Sequence, residues 1–216
     1  MSLRLAVFDC DGTLVDGQAH VCDTMEQIFR EAGLPPPDRN EVRRSVGLSL
    51  PVAIRHLAPD LDPELSEQLV TAYKQGFSAR RQEGLIDEPL YDGIREVLTG
   101  LTDAGWMLAV ATGKSDRGLN ACLERHGLSD LFTSLQTSDR HPSKPHTAML
   151  EAALFEAGVG PQQAVMIGDT TFDIMMACDA GVRALGVAWG YHSPHELRRA
   201  GAEAVAQHPA ELEQLL

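Results

Sequence analysis

The chain has no cluster of lysine and arginine, no paired cysteine motif and no long apolar run. Each absence closes off a class of function. Lys and Arg number 18 against 31 Asp and Glu, a formal net charge of −13. A surface that binds nucleic acid or an anionic membrane needs clustered cations, because counterion release drives such binding. No nucleic-acid or membrane partner is therefore expected. The four cysteines, Cys10, Cys22, Cys122 and Cys178, form no C-x-x-C pair, so neither a zinc site nor a disulfide framework is expected. They read as small core residues of a protein in the reducing cytoplasm. The apolar run Leu3 to Phe8 is interrupted by Arg4 and ends at Asp9, too short for the core of a signal peptide, and nothing approaches membrane-spanning length. Internal repeats and low-complexity tracts are missing too. What is present is 44% hydrophobic residues with Gly and Pro as isolated punctuation over 216 residues. That profile fits one large globular domain, or a domain carrying a second, smaller one.

Short apolar runs recur along the chain and end in polar motifs. Leu3 to Phe8 stops at Asp9-Cys10-Asp11-Gly12, Trp106 to Ala111 at Thr112-Gly113-Lys114, and Ala164 to Ile167 at Gly168-Asp169; a fourth run, Ala184 to Ala188, follows Gly181. Segments of helical period separate them: Gly93 to Ala104, Asp116 to His126, His146 to Ala157 and Phe172 to Ala180. Strands alternating with helices of this length predict an α/β fold, a parallel sheet covered on both faces. Open sheets of that kind bind ligands outside the carboxyl ends of their strands, where these motifs fall. Residues 17–84 break the alternation. Their periodic segments, Val21 to Ala32, Asn40 to Val46, Pro51 to Leu57 and Pro63 to Arg81, predict a helical insertion, a candidate lid over the crevice. The expected division is a core of residues 1–16 and 85–216 with a cap of residues 17–84.

Asp9 and Asp11 crowd like charges one residue apart, which raises the energy of the fold unless something offsets the repulsion. Carboxylate oxygens with waters make the all-oxygen octahedral site that Mg²⁺ prefers. Thr112 offers a hydroxyl, Gly113 an open backbone N–H and Lys144 an ammonium, a set suited to a phosphoryl dianion held between metal and lysine. Phosphoryl transfer needs charge neutralisation and in-line positioning, so Asp9 is expected to attack and form an aspartyl-phosphate. Asp11 then protonates the leaving alkoxide and later deprotonates water. Gly12 permits the turn that separates their directions.

Taken in order, Asp9-Cys10-Asp11-Gly12-Thr13-Leu14-Val15-Asp16, Thr112, Lys144-Pro145 and Gly168-Asp169-Thr170-Thr171-Phe172-Asp173 resemble the four motifs of the haloacid dehalogenase superfamily of phosphatases. The resemblance implies a Rossmann-like core, a small helical cap inserted after the first motif, and required Mg²⁺. It implies Asp9 as nucleophile and metal ligand, Asp11 as acid/base with its backbone carbonyl on the metal, Thr112 and Lys144 on phosphate, Asp169 on the metal and Asp173 supporting the metal waters. The tail GVRALGVAWGYHSPHELRRAGAEAVAQHPAEL resembles phosphoglycolate-phosphatase-type members, which implies a small phosphorylated metabolite, phosphoglycolate-like or a sugar phosphate, as partner. The departures are Ser143-Lys144-Pro145 for the commoner Gly-Lys-Pro and Thr112-Gly113 for Thr-Asn. Neither removes a phosphate-binding side chain.

Two rival readings stay open. A β-phosphoglucomutase-like phosphotransferase shares the motifs, but its cap histidine and cap arginine would fall on Val21 and Leu50. A phospho-acceptor signalling domain also gathers acids, Mg²⁺, Thr and Lys at strand ends, yet needs neither a proton shuttle at Asp11 nor a lid of this size. Asp11 argues against dehalogenase chemistry, and Lys74, the lysine of the insertion, has no evident route to the crevice as a Schiff-base former. Lys114 is read equally as a substrate contact or a surface residue. His20, Arg43 and Arg44 are read as partly solvated, one arginine within possible reach of a substrate anion, and His141, His146, His192 and His195 as surface loop residues. Substrate identity and oligomeric state are left open.

Overall fold

The structure, a computed structural model, describes residues 3–216. Its centre is a six-stranded sheet of β1 (Leu5–Phe8), β2 (Met107–Thr112), β3 (Phe132–Thr137), β4 (Ala164–Gly168), β5 (Arg183–Val187) and β6 (Ala204–Ala206). Strand order is β3-β2-β1-β4-β5-β6, and all neighbours are parallel. Because every strand points the same way, all carboxyl ends share one edge. The order turns back at β1, which pairs β2 on one side and β4 on the other, so the crevice of this doubly wound sheet opens beside β1.

The alternation of β-strand side chains sorts the core into two layers. Ala6 and Phe8, Leu108 and Val110, and Val165 and Ile167 face one apolar cluster, with α5 (Ile94–Asp103) and α6 (Asp116–His126). Leu5 and Val7, Ala109 and Ala111, and Ala164 and Met166 face the other, with α7 (Ala148–Ala157) and α8 (Thr171–Asp179). Both faces being covered explains why these strands read as unbroken apolar runs. A side chain such as Phe8, with no exposed surface, contributes roughly 1.5–3 kcal/mol by leaving water. Such packing fixes where the strands end, and hence where the motifs sit.

Residues 17–84 fold as four helices, α1 (Gln18–Glu31), α2 (Arg39–Ser45), α3 (Leu50–Leu57) and α4 (Pro63–Gln82). They enclose their own apolar cluster, which includes Cys22, Met25, Ile28, Phe29, Val42, Ile54 and Leu69. Asp38 and Asp62 start α2 and α4 by accepting backbone N–H bonds from Asn40 and Glu64, and Pro63 sits where its missing N–H costs nothing. The strands leading in and out of this unit touch. Val15 pairs antiparallel with Leu90, the Asp16 N–H donates to the Pro89 carbonyl at 2.9 Å, and the Tyr91 N–H donates to the Leu14 carbonyl at 3.1 Å.

Two strands and the last helices go beyond the sequence reading. β3 carries Thr133, Ser134, Gln136 and Thr137 and so lacks an apolar run, while β6 spans three residues. α9 (Pro194–Ala200) and α10 (Leu212–Leu215) close the chain. Among the described residues no helix is long and apolar enough to cross a membrane. Cysteine burial corrects one expectation: Cys10, Cys22 and Cys122 are buried, but Cys178 is exposed. It lies on the outer turn of α8, its thiol near the Ala200 and Gly201 carbonyls.

Candidate active site

Asp9 follows the last residue of β1, and its N–H still donates to the Ile167 carbonyl of β4 at 2.9 Å. The chain then turns sharply. Leu14 and Val15 donate back to the Cys10 carbonyl at 2.8 and 3.1 Å, and Gly12 adopts φ +83°, a conformation that a Cβ disfavours. Asp169 follows β4, and Asp173 stands one turn into α8. There Asp173 Oδ2 accepts from the Thr170 N–H and hydroxyl at 3.0 and 2.7 Å, while the Thr170 hydroxyl accepts from the Asp173 N–H at 3.4 Å. This reciprocal cap ties the acid to the helix start.

One carboxylate oxygen each from Asp9, Asp169 and Asp173 lies within 4.8 Å of the others, and all three residues are buried. Lys144, brought in by the loop between β3 and α7, places Nζ 2.6 Å from Asp173 Oδ1 and 3.0 Å from Asp9 Oδ1. Its side chain has no exposed surface. Asp169 is held at both oxygens, by the Thr13 hydroxyl at 2.8 Å and the Tyr191 N–H at 2.9 Å. Asp9 Oδ2 is buried without a hydrogen-bond partner.

Electrostatics follow from this crowding. Burial pushes the Asp9 carboxyl up to about 7, against the pull of Lys144 and with a further push from Asp173. Burial, Asp173 and Asp9 hold Asp169 well above the usual carboxylate range. For Lys144, burial alone would favour the neutral amine, but Asp173 and Asp9 outweigh it and raise its pKa. When all are ionised, three carboxylates against one ammonium leave two negative charges uncompensated. An orphaned buried oxygen, an all-oxygen donor set and that charge deficit together fit a hard divalent cation.

Asp11 points elsewhere. Its Oδ1 lies 2.9 Å from Lys114 Nζ, and Lys114 also reaches Glu88 Oε1 at 2.6 Å, whose Oε2 takes Arg81 at 2.7 Å. Burial raises the Asp11 pKa, Lys114 lowers it and Glu88 raises it again. Lys114 thus faces the crevice and is held there by two acids. Thr112 ends β2 fully inside, accepting from the Lys114 N–H at 3.2 Å. Gly113 presses against the insertion: a Cβ there would stand 2.6 Å from the Leu48 carbonyl oxygen and 2.7 Å from that of Gly47.

The helical unit and the sheet meet at further polar contacts. The Ser49 N–H donates to the Ser143 hydroxyl at 2.8 Å, next to Lys144. Arg44 pairs with Glu196 at 2.7 Å, so it is spent on the core and not on the crevice. His192 corrects its sequence reading as a surface residue, being only 4% exposed. Its Nδ1 accepts from the Thr171 N–H at 3.0 Å, which leaves Nε2 protonated to donate to the Arg44 carbonyl at 3.1 Å. His20 Nε2 accepts from the Asp87 N–H at 2.9 Å. Glu88 is the residue that sequence reasoning missed: the acidic pair Asp87-Glu88 before Pro89 belongs to no periodic segment.

Asp9 and Asp169 after their strands, Asp173 at the start of α8 and Lys144 from the loop before α7 thus converge, and Asp11, Thr112, Gly113 and Lys114 line the adjoining cavity. A parallel α/β sheet with buried acids and a lysine along its carboxyl edge is the framework of an enzyme. Residues 6–187 match the family described as haloacid dehalogenase-like hydrolase. A Dickeya dadantii (strain 3937) protein named Probable phosphatase IndB is 34% identical over 205 residues, covering 93% of this chain and 88% of that protein. A phosphoglycolate phosphatase of Vibrio vulnificus (strain YJ016) is 30% identical over 215 residues, covering 97% and 94%. Among solved structures, a haloacid dehalogenase-like hydrolase of Streptococcus pneumoniae superposes with a TM-score of 0.86 at 25% identity, over 99% of this chain and 98% of that one. The chain belongs to the haloacid dehalogenase-like hydrolase family, with its phosphoglycolate-phosphatase-like members, and is a hydrolase of the phosphatase kind.

Proposed function

We propose that the protein hydrolyses a small phosphate monoester through an aspartyl-phosphate on Asp9, with Mg²⁺ as cofactor and residues 17–84 as a lid over the crevice. The observation that carries this reading is the buried Asp9–Lys144–Asp173 arrangement beside Asp169. Asp9, Asp169 and the Asp11 backbone carbonyl would hold the cation, with Asp173 supporting its waters. When bound, Mg²⁺ supplies charge neutralisation for the phosphoryl oxygens and the acids around them.

In the first step an Asp9 oxygen forms a bond to phosphorus as the ester P–O bond breaks, and Asp11 gives its proton to the leaving alkoxide. The raised pKa of Asp11 suits it to arrive protonated. In the second step water attacks the acyl-phosphate, Asp11 takes its proton, and inorganic phosphate leaves with Asp9 restored. Lys144 orients Asp9 by a 3.0 Å contact and offers a positive charge to the phosphoryl group. The Thr112 hydroxyl and the Gly113 N–H would receive the remaining oxygens.

Relatives such as the Vibrio vulnificus protein are named phosphoglycolate phosphatase, which makes that ester one candidate substrate. The unpaired state of all four cysteines supports a reducing setting such as the cytoplasm. Release of phosphate from a generic aryl phosphate tests the reading. Wild-type protein should require a divalent metal, and Asp9→Asn should be inactive. Turnover in chelator, or undiminished turnover by Asp9→Asn, would count against it.

A further inference from the structure

The cavity beside Asp9 and Asp11 has a volume of about 430 Å³, a size that accepts organic groups much larger than glycolate. The helical insertion contributes an apolar stretch to its wall: Val21 and Met25 of α1, Leu50 and Ala53 of α3, and the rings of Tyr73 and Phe77 of α4. The last two form a platform. Their ring centroids are 5.7 Å apart with planes 19° from parallel, and one turn further along α4 the Arg81 guanidinium lies 5.2 Å from the Phe77 centroid.

Polar recognition of a leaving group is poorly provided for. Arg81 is paired with Glu88, Lys114 with Glu88 and Asp11, and Lys74 with Asp139 at 3.8 Å. The acids in these pairs would oppose a leaving-group carboxylate. Arg117, an exposed lining cation, forms no ion pair among the described residues. Of the lining serine hydroxyls, Ser45 donates to the Val42 carbonyl, Ser138 to the Gly113 carbonyl, and Ser115 accepts from the Gly118 N–H, which leaves Ser78 and the Tyr73 phenol as the open hydroxyls of α4 among the described residues. A sugar would find few free partners there, and unmatched polar groups cost affinity.

We infer that the preferred substrate is a phosphate monoester whose leaving group is an uncharged apolar or aromatic alcohol, seated against Tyr73 and Phe77, and not a carboxylate-bearing or sugar alcohol. This rests on the phosphatase reading above. An aromatic ring laid on that platform gains both apolar burial and ring contact.

The test compares 2-phenylethyl phosphate, ethyl phosphate and 2-phosphoglycolate with Mg²⁺ present. All three release primary alkoxides, so leaving-group reactivity does not dominate the comparison. kcat/KM for the phenylethyl ester should exceed that of each of the others by at least about tenfold, and Phe77→Ala should shrink its ratio to the ethyl ester several-fold. Phe77→Leu supplies the same comparison should the alanine variant fail to fold. A preference for 2-phosphoglycolate, especially one abolished by Arg117→Ala, would overturn the inference while leaving the phosphatase reading standing. A Phe77 variant that lowers all three esters alike would overturn it too. No release from any ester would sink both.

Discussion

Thermal unfolding under metal titration probes the charge balance of the acid cluster without reference to turnover. Asp9, Asp169 and Asp173 share one ammonium, that of Lys144, so the metal-free cluster relieves its repulsion by taking up protons. Asp9, pushed by burial from 3.8 to about 7 against the pull of Lys144, is then favoured in its neutral form. A group raised in this way stabilises the fold below its ordinary pKa and loses that contribution as pH climbs through its folded one. The metal-free protein should therefore weaken between about pH 4 and about pH 7. Mg²⁺ competes with the proton, so its apparent affinity should fall about tenfold per pH unit below about 7. With free Mg²⁺ at about 100 times its dissociation constant, mass action adds about 2.7 kcal/mol. For a chain of this length each kcal/mol moves Tm by about 2–4 °C, giving a rise of about 5–10 °C. Scanning calorimetry near pH 8, with Mg²⁺ or with chelator, measures it. The rise should shrink near pH 6 and vanish in Asp169→Asn. A wild-type Tm unmoved by Mg²⁺, or an equal rise in the variant, would refute the cation assignment.

Three further outcomes follow from individual contacts. Lys144→Met removes the ammonium from a site with no exposed surface, so urea unfolding in chelator should show a loss of roughly 3–5 kcal/mol, partly restored by Mg²⁺. Glu88→Gln deprives Lys114 and Arg81 of a shared negative charge and removes a push that raises the Asp11 pKa; the high-pH limb of the kcat profile should move to lower pH, and an unmoved profile would reduce Glu88 to a packing role. Gly113→Ala drives a Cβ against the Gly47 and Leu48 carbonyl oxygens, so the 46–50 loop must shift. Its circular dichroism should match wild type while kcat/KM drops by about 10–100-fold.

The parts of the fold visible in the sequence are those where one physical cue dominates. β1, β2, β4 and β5 are covered on both faces, so their apolar runs stand out, and each of β1, β2 and β4 ends in a motif that the parallel sheet gathers at one edge. β3 escaped because it is an edge strand whose buried polar residues are paired locally, as where Gln136 Nε2 donates to the Ser134 hydroxyl at 2.8 Å. Its pattern therefore has no apolar signature. Asp9, Asp11 and Asp169 were legible through their positions after strands, and Lys144 and Asp173 through the ordered motifs that they complete. Glu88 and His192 were not, since their burial comes from tertiary contacts that no periodic segment marks: Lys114 and Arg81 for the first, Thr171 and the Arg44 carbonyl for the second. The tertiary neighbours that make Lys114 an inward residue instead of a surface one are likewise invisible to periodicity.

The pairing of Val15 with Leu90 has a consequence for how such enzymes diversify. The backbone departs and returns through a single doorway, so whatever is threaded between those two residues leaves the register of the sheet untouched. Loop-closure entropy grows only with the logarithm of length, and grafts of very different size are tolerable at that point. Selectivity can then drift by exchange of an entire module while the bond-breaking groups behind the doorway stay where they are.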